Sequence, residues 1–184
     1  MATVKNKNEI REWGKALIIA LILAFIVRVF FFTTFVVVGE SMEPTLQDED
    51  RMIVTKIGEP KRFDLVVFHA PDGRDYIKRV IGLPGDRIEY KNDVLYINGN
   101  AFKEPYLEEY KNGLRDGGLL TNSFTLKETP VGSEVVPEGH LFVLGDNRRL
   151  SEDSRRIGAI PMEKVVGTSK VVYFPIKDIK VIGK

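Results

Sequence analysis

Cysteine is absent from this 184-residue chain, histidine occurs twice and tryptophan once. The lack of cysteine excludes disulfides, thiolate nucleophiles and cysteine-ligated zinc or iron–sulfur sites. The formal net charge is only +1, so no strong basic field favours a nucleic acid partner. The acidic run of residues 48–50 lacks the ligand spacing of a calcium loop. We therefore expect no metal, no other cofactor and no nucleic acid partner.

Long apolar runs are also scarce, and one stands out. Residues 16–38 are apolar except for Arg28 and the pair Thr33 and Thr34. A helix of this length would measure about 35 Å, which exceeds the roughly 30 Å hydrocarbon core of a bilayer. A central arginine costs about 3 kcal/mol, but each Leu, Ile, Phe or Val favours insertion by roughly 0.3–0.6 kcal/mol. We therefore predict a single transmembrane helix over residues 16–38, in contact with membrane lipid.

Two alternatives for this run are weaker. Residues 16–27 alone have the length of the apolar region of a cleaved secretory signal. However, Arg28 and a phenylalanine-rich continuation follow, and no small-x-small cleavage site is present. A buried core helix is rarely apolar over such a length.

The flank of the anchor predicts its orientation. The residues before the run include four basic side chains and two acidic ones. The basic ones are Lys5, Lys7, Arg11 and Lys15, and the acidic ones are Glu9 and Glu12. Positively charged flanks stay cytoplasmic. We expect residues 1–15 in the cytoplasm and residues 39–184 as an extracytoplasmic domain of a single-pass cell-membrane protein.

Beyond residue 40 the pattern is that of short strands in antiparallel sheets. The β-branched and aromatic runs cover residues 51–54, 64–68, 79–81, 87–90, 94–97, 140–144, 165–167 and 170–174. Asn98 and Gly99 predict a two-residue hairpin turn, because a type I′ turn needs positive φ at both positions. The predicted fold is mainly β. Polar, glycine-rich residues 104–134 are expected to form an inserted loop or subdomain.

Ser41 lies just beyond the apolar run and is a candidate nucleophile. A serine needs a base to remove its proton. Nothing pairs His69 or His140 with a nucleophile and a carboxylate, so both are expected to be structural or surface residues. Lys78 is the alternative base, because strand alternation places it on the face of Tyr76 and burial lowers the pKa of a lysine.

Four sequence blocks, in order behind the apolar run, resemble those of bacterial type I signal peptidases, which are membrane-bound Ser/Lys endopeptidases. The blocks are residues 39–46, 63–68, 75–86 and 145–155. Each is moderately specific, and their joint occurrence is very specific. The resemblance implies an antiparallel β catalytic domain that removes signal peptides from exported preproteins.

The resemblance also implies residue roles. Ser41 matches the family nucleophile and Lys78 its general base. Ser151 matches the serine whose hydroxyl holds the lysine amine, and Asp153 and Arg155 match a supporting ion pair.

Gly39 departs from family members that carry a serine at that position to stabilise the oxyanion, and resembles the Gram-positive branch. The oxyanion hole is then expected to use the Ser41 backbone N–H with another donor, backbone or water, near Gly39. Asp146 and Arg148 match further structural charges.

Substrates of the family carry small residues at positions −1 and −3 from the cut, which requires two shallow apolar pockets. Met42, Tyr76 and Ile77 flank the dyad in sequence and are candidate substrate-binding walls. An extended substrate would add to a strand edge.

Two other functions stay open. A catalytically inactive, membrane-anchored binding homologue would keep the motifs without the activity. A self-cleaving repressor-type Ser/Lys peptidase has a related β core, but it carries a DNA-binding helical domain where this chain has its apolar run.

Overall fold

The computed structural model describes residues 3–183, and side chains from residue 9 onward. Of the predicted cytoplasmic segment 1–15, Met1, Ala2 and the side chains of Lys5 and Lys7 lie outside the described residues. The α-helices are α1 (Thr3–Phe31), α2 (Glu108–Gly113) and α3 (Ser154–Ile157), and the 3₁₀ helices are Pro105–Leu107, Leu126–Glu128, Met162–Lys164 and Ile176–Asp178. The strands are β1 (Phe32–Val36), β2 (Arg51–Thr55), β3 (Leu65–His69), β4 (Asp75–Gly82), β5 (Ile88–Lys91), β6 (Val94–Ile97), β7 (Asn100–Phe102), β8 (Phe124–Thr125), β9 (His140–Leu144), β10 (Ile160–Pro161), β11 (Val165–Phe174) and β12 (Lys180–Val181).

Two sheets follow α1. The larger sheet has eight strands in the order β1-β2-β11-β3-β4-β9-β10, with β12 also paired to β11. The smaller sheet has four strands in the order β7-β6-β5-β8. Every pairing is antiparallel within the described residues. The prediction of a mainly antiparallel β protein with an amino-terminal apolar helix is confirmed.

The amino-terminal helix ends earlier than predicted. It stops at Phe31, and residues 32–36 form β1, which pairs with β2 along its whole length. The predicted transmembrane helix over residues 16–38 is therefore wrong at its carboxyl end. Hydropathy does not separate an apolar strand from an apolar helix, whereas the β-branched pair Thr33 and Thr34 favours the strand.

The remaining part of α1, Glu9–Phe31, is long and apolar enough to cross a membrane, and the rest of the protein does not cover it. It is the one helix of this kind within residues 3–183.

The strands predicted beyond residue 40 are all present, with shifts at their ends. The runs 165–167 and 170–174 join into the single strand β11. Asn98 and Gly99 connect β6 to β7 with φ values of 52° and 80°, so the hairpin turn with positive φ at both positions is confirmed.

The smaller sheet corrects the boundary of the inserted subdomain expected at residues 104–134. Strands β5, β6 and β7 precede residue 104, and only β8 comes from within the expected range. The inserted unit therefore begins near Ile88. Sequence reasoning missed this because β8 is only two residues long and its partner β5 is distant in the chain.

A buried apolar cluster lies directly beneath the turn that follows β1. Met42 belongs to this cluster, together with Val37, Met52, Leu65 and Val172 among others. Full burial of such a side chain stabilises the fold by about 1.5–3 kcal/mol. The residue that follows Ser41 is therefore anchored in the core, which holds the turn against the larger sheet.

Candidate active site

Ser41 and Lys78 are in direct contact. Ser41 lies in the turn after β1, and Lys78 lies on β4, between β3 and β9 in the larger sheet. Lys78 Nζ is 2.7 Å from Ser41 Oγ. The structure thus brings together the predicted nucleophile and the predicted base from two elements that are far apart in sequence.

Lys78 is only 3% exposed, and this burial controls its charge. Burial lowers the pKa of its amine to about 8, while the charges of Asp153, Asp146 and Glu152 act in the raising direction. The Tyr76 ring centroid lies 5.1 Å from Nζ, as the predicted strand alternation requires. A large fraction of the amine is therefore neutral near pH 8 and able to accept a proton.

Residues 145–155, which follow β9 and which we call the 145–155 segment, pack against the Ser41 turn. Asp153 and Arg155 form the expected ion pair at 2.7 Å, and the Gly145 N–H donates to Asp153 Oδ2 at 3.1 Å. A Cβ atom at Gly145 would lie 2.5 Å from the Ser41 carbonyl oxygen. The absence of a side chain there allows the segment to contact the nucleophile turn.

Ser151 does not make the hydrogen bond that the resemblance implied. Its hydroxyl is buried and has no hydrogen-bond partner among the described residues, and Lys78 Nζ is bonded to Ser41 Oγ. The side chain instead packs against the backbone at Gly145. Ser151 lies in the segment next to the dyad, and its supporting role stays a prediction.

Asp146 connects the strand that carries Lys78 to the turn that carries Ser41. Its two carboxylate oxygens accept hydrogen bonds from Arg79 at 2.9 and 2.6 Å, and Arg79 directly follows Lys78. Asp146 also accepts a hydrogen bond of 2.5 Å from Thr45, in the Ser41 turn. Both Asp146 and Arg79 are fully buried, so the pair excludes water and resists rearrangement.

Arg148 makes a second buried ion pair, with Glu104 at 2.5 Å. Its guanidinium also donates to Tyr90 at 2.6 Å, on β5, which ties the 145–155 segment to the smaller sheet. Sequence reasoning found Asp146 and Arg148 but missed their partners. The partners are separated by 44 residues for Glu104 and 67 for Arg79, and no local pattern connects them.

The dyad lines a cleft of about 530 Å³. The three predicted substrate-binding residues, Met42, Tyr76 and Ile77, all line it. The other apolar lining residues are Phe35, Val36, Val37, Val38 and Leu150. The cleft therefore offers a mainly apolar wall beside the predicted nucleophile.

Gly39 also lines the cleft and has a φ of +86°. Its N–H already donates to Asp48 Oδ1 at 2.8 Å. This N–H is therefore engaged and does not provide the second oxyanion donor that was expected near Gly39.

The two histidines make contacts away from the dyad. His69 Nδ1 lies 2.6 Å from the Asp75 carboxylate in an exposed pair, and His140 Nδ1 lies 2.8 Å from the Glu138 carbonyl. Within the described residues neither histidine is hydrogen-bonded to Ser41 or Lys78, as expected for structural or surface residues. Over the same residues no group of three or more His, Asp or Glu is arranged to hold a metal ion.

The chain is similar to known peptidases along nearly its whole length. The family model described as "Signal peptidase, peptidase S26" matches residues 10–174. Signal peptidase I of Bacillus caldolyticus is 47% identical over 180 residues, which cover 96% of this chain and 97% of that protein. Signal peptidase IB of Staphylococcus aureus (strain COL) is 42% identical over 181 residues, which cover 95% of this chain and 94% of that protein. A crystal structure of a signal peptidase I from Enterococcus faecalis V583 is 43% identical with a TM-score of 0.59, and the match covers 61% of this chain and 98% of that one.

Proposed function

The chain belongs to the signal peptidase family, peptidase S26, and from this membership we propose that it removes signal peptides from exported preproteins by a Ser/Lys mechanism. One observation carries the mechanism. Lys78 Nζ lies 2.7 Å from Ser41 Oγ, while burial lowers the pKa of Lys78 to about 8. The distance falls within the reach needed for direct proton transfer, about 2.6–3.2 Å.

The first half of the reaction forms an acyl-enzyme. The neutral Lys78 amine takes the hydroxyl proton as Ser41 Oγ attacks the carbonyl carbon of the scissile peptide bond. The electron pair of the C=O bond moves to oxygen and makes an oxyanion. As the C–N bond breaks, the Lys78 ammonium gives its proton to the amine of the departing mature chain.

The second half releases the signal peptide. Water attacks the ester carbon and loses its proton to Lys78, which then protonates Ser41 Oγ as the ester bond breaks. The signal peptide leaves with a free carboxylate. The Ser41 backbone N–H is the oxyanion donor that we assign in both halves.

The substrate binds as an extended segment at an open strand edge. Residues 75–78 of β4 pair with β3 on one side, while β9 pairs only from Arg79 onward. Among residues 3–183, no strand pairs with their second edge, and residues 75–78 line the cleft. Main-chain hydrogen bonds to this edge would direct alternate substrate side chains to one wall. Met42, Tyr76 and Ile77 on that wall favour small side chains at −1 and −3.

The α1 helix anchors the enzyme in the cell membrane. Arg11 and Lys15 precede the most apolar part of α1, so its amino terminus lies in the cytoplasm and the catalytic domain outside. The anchor confines the enzyme to the surface that holds its preprotein substrates, which raises their effective concentration. Protease added to intact spheroplasts should digest the domain beyond β1, and protection of that domain until lysis would reverse the orientation.

Two rival functions are less well supported. A repressor-type peptidase needs an amino-terminal DNA-binding domain, whereas α1 is a single uncovered apolar helix. An inactive homologue has no need for a buried lysine at 2.7 Å from a serine, because burial of a lysine charge is unfavourable.

Cleavage of a preprotein in detergent tests the mechanism. We expect Ser41→Ala and Lys78→Ala each to abolish cleavage, and the double variant to be little worse than either, because the two residues act as one unit. His69→Ala and His140→Ala are the controls and should keep full activity. Substantial cleavage by folded Lys78→Ala would reject the dyad, and an inactive parent protein would favour the binding homologue.

A further inference from the structure

We propose that Asn147 is a positioning residue that orients the Ser41 backbone N–H toward the oxyanion, and that Tyr110 of α2 holds Asn147 in place. The inference rests on the proposed function, in which Ser41 is the nucleophile and its N–H stabilises the oxyanion. It assigns a role in catalysis to a helix of the inserted unit.

Asn147 binds the nucleophile turn on both sides of the Ser41 Cα atom. Its side-chain Nδ2 donates to the Glu40 carbonyl at 3.1 Å, and its backbone N–H donates to the Ser41 carbonyl at 3.1 Å. Asn147 is only 2% exposed, so water does not compete strongly for these bonds. One buried residue therefore holds two successive peptide units of the turn.

The first of these peptide units includes the proposed oxyanion donor. The Glu40 carbonyl and the Ser41 N–H belong to one planar peptide group, which is trans. In a trans peptide the N–H points away from the carbonyl. The Glu40 carbonyl also accepts a hydrogen bond from the Glu43 N–H at 3.1 Å, so the bond from Asn147 is one of two that direct the Ser41 N–H to the side away from Asn147. Ser41 lines the cleft, whereas Asn147 does not. Oxyanion stabilisation depends on this direction, because the donor must be in place before charge develops.

Tyr110 binds the end of the Asn147 amide that faces away from Glu40. Its hydroxyl donates to Asn147 Oδ1 at 2.8 Å. An asparagine amide has one acceptor end and one donor end; the Glu40 carbonyl only accepts, so it binds Nδ2, and the Tyr110 hydroxyl then holds the amide in place through Oδ1. Tyr110 lies in α2, and the chain Tyr110–Asn147–Glu40 therefore connects the inserted unit to the nucleophile turn.

Two variants test this connection. Asn147→Asp keeps the side-chain shape and the acceptor for Tyr110, but it replaces the donor to Glu40 with an oxygen. Its kcat should fall about 10–100-fold with little change in KM, because the donor acts on the transition state rather than on bound substrate. Tyr110→Phe removes only the hydroxyl and should lower kcat about 3–10-fold. Each kcat is taken on the pH plateau of its own variant, since the new carboxylate also raises the pKa of nearby groups.

An inhibitor separates oxyanion binding from substrate binding. A peptide aldehyde with alanine at −1 and −3 forms a tetrahedral adduct with the serine, so its affinity should fall in parallel with kcat in both variants. An uncleaved peptide of the same sequence should bind all forms equally. Parallel weakening of both ligands would assign Asn147 to substrate binding and overturn the positioning role.

Tyr106→Phe is the matched control. It removes from the same inserted unit a hydroxyl that donates at the same distance, 2.8 Å, but to Glu104. This hydroxyl has a longer contact with Arg148, at 3.4 Å, and none with Asn147 among the described residues, so the variant should keep kcat. If Tyr106→Phe and Tyr110→Phe lose the same amount of kcat, the loss reflects a general destabilisation of the inserted unit, and the inference is rejected. If Asn147→Asp does not fold, Tyr110→Phe alone decides the test. If Ser41→Ala is inactive but Asn147→Asp and Tyr110→Phe keep the wild-type kcat, only this inference is rejected. If Ser41→Ala is active, the proposed function is rejected.

Discussion

Lys78 is surrounded by groups that act on its charge in opposite directions. Burial disfavours the ammonium form, and the carboxylates of Asp146 and Asp153 favour it. Each of these carboxylates is itself paired with an arginine, Arg79 at 2.6 Å and Arg155 at 2.7 Å. Burial has the largest effect, so the pKa of the amine falls to about 8.

This lowered pKa predicts the pH dependence of the reaction. Only the neutral amine is a base, so kcat/KM should rise with pH, with a midpoint near the pKa of about 8, and level off above it. An unperturbed lysine would give a midpoint near about 10.4, and such a profile would contradict the burial argument. Lys78→Arg should be inactive at every pH in this range, because a guanidinium does not deprotonate there.

Stability gives a second measurement of the same pKa without substrate. A lysine with a pKa of about 8 when folded and 10.5 when unfolded binds its proton more weakly in the folded state. The folded protein is therefore destabilised below pH 8, by roughly 3 kcal/mol, and this cost disappears as pH rises from 8 to 10.5. Lys78→Met should raise the free energy of unfolding in urea most strongly below pH 8, and the gain should shrink toward pH 10.5.

At the scale of elements, the site depends on how closely the 145–155 segment approaches the Ser41 turn. Asp146 binds Thr45 of that turn, and Asn147 binds its backbone. These contacts need the backbone at Gly145 to lie against the Ser41 carbonyl. The two elements therefore form one unit around the nucleophile, although β9 and β1 lie far apart in the sheet order.

Gly145→Ala tests this close approach. Its methyl group would lie 2.5 Å from both the Ser41 carbonyl oxygen and Ser151 Cβ, so backbone must move. We expect a loss of stability of about 1–3 kcal/mol and at least a tenfold loss of kcat, measured by denaturation and preprotein cleavage. Gly113→Ala is the control, because a Cβ there meets nothing within 4 Å. Wild-type kcat in Gly145→Ala would show that the contact is dispensable.

At the scale of the whole molecule, α1 and the larger sheet are continuous. The last residue of α1 is Phe31 and the first residue of β1 is Phe32, so no linker separates them. The β1 strand pairs with β2, and the Ser41 turn follows β1. In the proposed membrane-anchored enzyme, the end of α1 would therefore determine how near the membrane surface Ser41 lies.

Two truncations test this continuity. A domain that begins at Phe32 keeps β1, so it should fold and cleave short peptides, but it should process membrane-bound preproteins poorly because it has lost its confinement to the surface. A domain that begins at Gly39 loses β1 and the buried Val37, which removes about 1.5–3 kcal/mol from that side chain alone. Its melting temperature and peptide activity should both be lower. Equal stability of the two domains would contradict a structural role for β1.

The sequence by itself determined the features that depend on neighbouring residues. Alternating β-branched and aromatic runs predicted the strands because burial on one face imposes a period of two. Asn98 and Gly99 predicted their turn because few residues adopt positive φ without strain. Motifs around Ser41 and Lys78 predicted a nucleophile and a base that lie in contact in the structure, since each motif lies within one short stretch of chain.

Only the tertiary structure decided the features that join distant residues. It ended α1 at Phe31 because β2 offers hydrogen-bond partners to an apolar stretch whose hydropathy suits helix and strand equally. It paired Asp146 with Arg79 and Asn147 with Glu40, and it left the Ser151 hydroxyl without the predicted contact. Such contacts depend on how separate elements pack, and local composition carries no information about which buried groups will face each other.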